Sequence, residues 1–172
     1  MTIPALDPFV DFIRSTRLSQ MFRDEVGWLW PLCESLHFIG LCLLIGAAGF
    51  FDLRLLGFMK GVPLRSARRF VPWAMAGFAV NLLTGLIFFI SQPQQYATNL
   101  SMWLKVLFLL IAGINVMLFE TSYSDKLMAL EPDAEMPLSA KVIGAVSLVS
   151  WFAILYFGRM LPYLDPNPRS GV

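Results

Sequence analysis

Four ionisable residues lie inside long apolar runs of this chain: Glu34, His37, Lys105 and Arg159. Tyr163 follows one turn beyond Arg159. Such groups are costly to hold in hydrocarbon, so each is a functional candidate by default. Glu34 and His37 are three residues apart and share a helix face. His37 is the only histidine in the chain and sits too deep to reach the headgroups easily. Its imidazole suits three tasks: an axial ligand to haem or a metal, a proton carrier, or a hydrogen-bonded structural group. Lys105 and Arg159 suit an anion or the carboxylates of a cofactor. Their plain reading is that they snorkel to headgroups. Glu34 has a plain reading too, as a first-turn carboxylate favoured by the helix dipole.

Softer ligands are present nearby. Cys33 lies four residues before His37, and the two with a methionine would make a thiolate, imidazole and thioether set suited to Cu(I). Against that, methionine is common core filler, and Cys33 and Cys42 read most simply as small apolar packers. Their nine-residue separation is about 13 Å along a helix, too far for a disulfide between them.

The elements that must position these groups are four apolar runs, roughly 28–51, 70–90, 102–119 and 142–164. Each is about as long as the ~20-residue helix needed to cross a bilayer. They predict an all-α integral membrane bundle of four transmembrane helices with an amphipathic N-terminal interfacial helix. That segment, residues 1–26, carries Phe9, Phe12, Ile13, Met21 and Phe22 at helical spacings, with a break near Ser15. Asp11, Arg14, Arg17 and Asp24 fill its other side, a pattern suited to lying in the interface or packing on the bundle. A polar tail, 165–172, ends the sequence. Asn81, Thr84, Asn115 and Ser147 are neutral polar groups nearer mid-membrane, where they read as interhelical hydrogen-bond partners. Cys42, Gly46 and Gly49 in the first span, and Gly77, Asn81 and Gly85 in the second, mark faces where helices or second copies could approach closely.

Orientation follows from basic residues, which concentrate in cytoplasmic loops. The stretch Asp52–Arg69 carries Arg54, Lys60, Arg65, Arg68 and Arg69, whereas Ser91–Ser101 carries no Lys or Arg. The first loop is therefore expected inside and both termini outside, although Arg14, Arg17 and Arg23 pull the other way. In this antiparallel arrangement Glu34, His37, Lys105 and Arg159 all fall in the external half of the bundle.

Composition narrows the classes further. Hydrophobic residues make up 57% of the 172 and charged residues 15%, well below the quarter usual for a soluble domain. Net charge is +1, which gives no bulk attraction to nucleic acid. The acidic and basic residues before the first apolar run do not make a signal peptide. Little chain remains outside the spans for a separate catalytic domain. Phosphate-binding glycine loops, haem-attachment CxxCH and paired metal-spaced histidines are absent.

Several marks together resemble an uncharacterised family of small bacterial four-helix inner-membrane proteins. They are Trp30-Pro31, Glu34, His37, Gly40 and the stretch Asp52-Leu53-Arg54-Leu55-Leu56-Gly57. Pro72, Ala76-Gly77-Phe78, Thr84-Gly85, Tyr96, Asn99, Lys105, Ala112-Gly113, Asn115, Gly158-Arg159 and Tyr163 follow in order. The resemblance covers nearly the whole chain and implies a four-span protein without an established activity. Members often carry His where this chain has Glu120. A looser similarity, at the level of fold, links the chain to small b-type cytochromes and copper-resistance membrane proteins.

The resulting expectation is a non-enzymatic membrane protein that binds a ligand or cofactor. Its expected site is the external cluster Glu34, His37, Lys105, Arg159 and Tyr163. The first candidate is haem b with His37 as axial ligand and Lys105 or Arg159 on its carboxylates. The alternatives are an oligomeric conduit for protons or a small anion, and a structural or assembly subunit of a membrane complex.

Overall fold

The computed structural model of the chain describes residues 7–22, 27–131 and 134–164. Arg23, Asp24 and the polar tail lie outside them. All regular structure among the described residues is helical. Two short helices, α1 (Asp7–Ser15) and α2 (Arg17–Gln20), precede the long α3 (Leu29–Leu55). Then come α4 (Leu64–Arg68), α5 (Val71–Ser91), α6 (Pro93–Ala97) and α7 (Leu100–Leu118). A π-turn over Phe119–Tyr123 leads into α8 (Ser124–Met128), and α9 (Leu138–Met160) follows. Four stretches are long and apolar enough to cross a membrane: Leu29–Leu55, Leu64–Ser91, Leu100–Met128 and Leu138–Met160.

Local chemistry sets where these helices begin and end. Pro31 falls in the first turn of α3, and Pro72 and Pro93 near the starts of α5 and α6, where a missing N–H goes unnoticed. Asn99 caps α7 by accepting from the Ser101 amide at 2.9 Å. α3 ends in a Schellman motif. Gly57, at φ +95°, donates to the Arg54 carbonyl at 3.1 Å, and Phe58 donates to the Leu53 carbonyl at 3.1 Å. A side chain at position 57 would be strained there, which accounts for the glycine that closes the Asp52–Gly57 stretch. This closure also carries the helix four residues past the expected end of the first span. Asp52 and Arg54 therefore belong to α3 rather than to a loop.

Helices α3 and α5 form one tightly packed hairpin, and α7 and α9 another. The two hairpins join along α3 and α9, while α5 and α7 hardly meet. Glycine decides both close approaches. A Cβ on Gly77 would lie 2.6 Å from the Gly40 carbonyl oxygen and 2.7 Å from the Leu44 nitrogen. A Cβ on Gly144 would lie 2.8 Å from the Asp52 carbonyl oxygen. The small face expected on α3 is different. Cys42 is exposed and nothing approaches the Cβ position of Gly46, although Gly49 meets Leu148.

Buried side chains form two apolar layers. One, at the C-terminal end of α3, centres on Phe51, Leu55, Ala67, Phe119, Ala140 and Ile143. The second, nearer mid-bundle, holds Leu44, Ala47, Ala74, Ala112, Trp151 and Ile154 from all four long helices. Outward-facing positions such as Ile39, Leu83, Leu110, Met117 and Phe152 are exposed apolar groups, the surface a hydrocarbon solvent requires. At the N-terminal end of α3 the short helices close the bundle. Val10 and Ser19 are buried, and the Ser19 hydroxyl donates to the Ile90 carbonyl at 2.8 Å. Phe9 and Phe12 stay exposed on α1, so the segment packs on the protein with one side and presents aromatic groups with the other.

Candidate functional site

The polar groups sort into two layers separated by apolar packing. The end of the bundle capped by α1 and α2 is called the outer end here, the opposite one the inner end.

In the outer layer, His37 is half-buried on α3. Its Nδ1 lies 2.7 Å from the Thr84 hydroxyl on α5. Thr84 itself donates to the Val80 carbonyl at 2.7 Å, a bond along its own helix. With that proton directed at the Val80 carbonyl, the oxygen can accept from His37 Nδ1. That tautomer would leave the Nε2 lone pair available. The ring packs on Phe88 at 5.5 Å between centroids, and Phe88 in turn on Trp30 at 4.9 Å. Gly85 leaves room beside it: a Cβ there would lie 3.9 Å from the imidazole Cε1.

Lys105 approaches from α7, near enough for its charge to be felt at the His37 ring. Its ammonium rests against α9, where a Cβ on Gly158 would lie 3.7 Å from Nζ. Asn81, one turn below Thr84, donates to the Gly77 carbonyl at 2.9 Å but leaves its buried Oδ1 without a partner. Helices α3, α5 and α7 thus carry polar groups at this level of the bundle, with glycines of α5 and α9 beside them.

The other expected site residues lie at the margin. Glu34 is exposed and accepts from the Trp30 indole at 3.0 Å. It also lies close enough to Tyr96, on α6 outside the spans, to act on it electrostatically. Burial, aided by that carboxylate, pushes the Tyr96 phenol up to about 12. Arg159 and Tyr163 are exposed and stack on each other, the guanidinium carbon 5.9 Å from the ring centroid. Lys105 thus lies within electrostatic reach of His37, Glu34 is exposed at the margin, and Arg159 and Tyr163 lie on the surface. Cys33 is buried on α3. Among the described residues no three His, Cys, Asp or Glu side chains gather as a metal-holding group.

The inner layer was not visible as a site in the sequence. Asp52 is only 4% exposed. Its Oδ2 accepts from the Ser147 hydroxyl at 2.6 Å, and Ser147 accepts from the Trp151 indole at 3.1 Å. Arg54 is 1% exposed and donates through Nε to the Val62 carbonyl at 2.6 Å. Arg65 donates to the Met128 carbonyl at 3.1 Å, and Arg68 bonds Ser124 and pairs with Glu120 at 2.6 Å. These arginines tie α4 to the π-turn and α8. They fasten the inner end. The missed signal was Asp52 four residues beyond Ala48 in an unbroken apolar pattern, with Leu53, Leu55 and Leu56 around it.

The chain matches no protein-family model, no curated protein and no solved structure.

Proposed function

We propose that this is a multi-pass membrane protein that binds an anionic ligand or cofactor in the outer layer between His37 and Lys105. The observation that carries the reading is the 2.7 Å contact of His37 Nδ1 with a Thr84 hydroxyl that also bonds the Val80 carbonyl. Thr84 holds Nδ1–H, so Nε2 offers a lone pair inside the membrane beside a lysine ammonium. A histidine whose second nitrogen is held this way is the usual arrangement at metal and haem sites. The first candidate remains haem b, with Nε2 of His37 as one axial ligand and Lys105 positioned for a carboxylate. Bound there, haem would supply one-electron redox chemistry. What this chain supplies is the oriented imidazole, the cation and the glycine-lined space. With a single histidine in the chain, any further ligand would come from a methionine or from a second copy packed on an exposed face. The reading places the protein in a bacterial inner membrane with both termini external, as the basic inner loop suggests.

The test is the visible absorption spectrum of detergent-purified protein, with and without added haemin. A Soret band that His37→Ala abolishes, and that Thr84→Val shifts or weakens, supports the site. A spectrum indifferent to His37→Ala removes haem, and equilibrium binding of small carboxylates that ignores Lys105→Ala removes the wider reading. Labelling of single cysteines in intact cells tests orientation: positions 94–99 should react and positions 60–66 should not.

A further inference from the structure

We infer that Asp52 is a proton-exchange site in the inner half of the bundle, separate from the His37–Lys105 layer. Three features of its surroundings bear on whether it holds a charge. Its side chain is 4% exposed within a membrane-spanning helix, where an ion is expensive. Its hydrogen-bond donor is a neutral hydroxyl. Its position in the last turn of α3 sets it against the negative end of the helix dipole, the wrong end for an anion.

The direction of the hydrogen bonds is determined. An indole N–H can only donate, so Trp151 gives its proton to the Ser147 oxygen. Ser147 directs its own proton at Asp52 Oδ2. Oδ2 is an acceptor in either state of the carboxyl group, and the exchanged proton resides on Oδ1. Uptake is the addition of one proton from water to the carboxylate, giving a neutral acid; release returns it to water. Neither Ser147 nor Trp151 gains or loses a proton in the step.

Charged groups on the packed elements leave this reading in place. On α3, Arg54 turns to the Val62 carbonyl two residues further round the helix. On α9, Lys141 is exposed, and its Cε lies 3.7 Å from the Cβ position of Gly57, past the end of α3. On α4, Arg65 and Arg68 are committed to Met128, Ser124 and Glu120. Helix α5 brings no titratable side chain, and α7 brings Asn115, bonded to the Ile143 carbonyl at 3.0 Å. The apolar layer of Leu44, Ala47, Ala74, Ala112, Trp151 and Ile154 stands between Asp52 and the outer groups, so the two polar layers are separate.

The experiment is infrared spectroscopy of the full-length protein in lipid, titrated across about pH 5 to pH 9. Aspartate labelled with carbon-13 at the carboxyl identifies the residue type without any substitution. The expected result is a protonated-carboxyl stretch that shifts with the label, vanishes reversibly as pH rises and is missing in Asp52→Asn. If that variant fails to fold, Asp52→Glu decides: the protonated-carboxyl band should persist but lose its sensitivity to the aspartate label. Absence of any label-sensitive protonated band over the whole range overturns the inference. A band unchanged in a folded Asp52→Asn protein does so as well. Neither result touches the His37 site, whose test is haem or carboxylate binding.

Discussion

The outer and inner halves of this bundle are built from the same four long helices and treat polar side chains in opposite ways. At the inner end every prominent polar group is tied to another element: Ser147 to Asp52, Arg65 to Met128, Arg68 to Ser124 and Glu120. A layer of large apolar side chains, with Phe51 edge-on to Phe119 at 5.4 Å, fills the rest. At the outer end His37 makes one polar contact on one nitrogen, and Asn81 Oδ1 and Ser101 Oγ are buried without partners. Buried polar groups with spare bonding capacity are expensive in a structure evolved only to stay folded. The outer half thus keeps polar bonding capacity in reserve, while the arginines of the inner half spend theirs on joining α4 to the π-turn and α8.

The largest expected effect breaks the frame common to both halves. Gly77→Val would drive a side chain into the α3 backbone and should abolish folding, read as loss of monodisperse protein in detergent. Gly46→Val, on an α3 position with nothing near it, should leave thermal stability unchanged. Equal damage from both would mean that glycine spacing on α3, rather than the α3–α5 crossing, is what matters.

The next contrast sets one hydroxyl in each half against the other. Ser147→Ala strands two buried groups, the Trp151 indole and the Asp52 carboxyl. Thr84→Val strands one, the His37 Nδ1–H. At about 1–3 kcal/mol per stranded group, the inner substitution should lower stability roughly twice as much in denaturant titrations. The outer one should fall mainly on ligand binding.

A smaller effect should appear only in alkali. The raised phenol of Tyr96 favours the neutral form in the folded state. Its contribution is complete below the ordinary tyrosine value of about 10 and is lost as pH climbs through about 12. Tyr96→Phe should flatten the fall in thermal stability over that window. Smallest of all is Glu120→Gln. Its pair with Arg68 is solvent-accessible on both sides, so the expected loss is about 0–1 kcal/mol, shrinking with added salt.

Much of the architecture was legible because hydropathy and length alone dictate membrane spans. Four apolar runs became four long helices, and His37 and Lys105 landed in the same layer because antiparallel connectivity puts those ends together. The site was harder. Nothing in the spacing of residues 34–37 could say that Thr84, forty-seven positions away, would hold the imidazole. Arg159 lies on α9 beside Gly158, yet only the rotation of the helix shows that Gly158 faces Lys105 while Arg159 faces out. Asp52 looked like the start of a loop because charge usually marks a span's end. The Schellman turn at Gly57 extends the helix and pulls the carboxylate inside, and that geometry depends on tertiary packing against Gly144 as much as on sequence.

The scant contact between α5 and α7 has a consequence for what the protein must be studied in. Three sides of the bundle are closed by protein, and the fourth is closed by whatever surrounds it. In a bilayer that wall is made of acyl chains, so lipid is a structural component of the molecule rather than merely its solvent. Chain length and saturation then become variables of the packing itself, and a micelle replaces part of that wall.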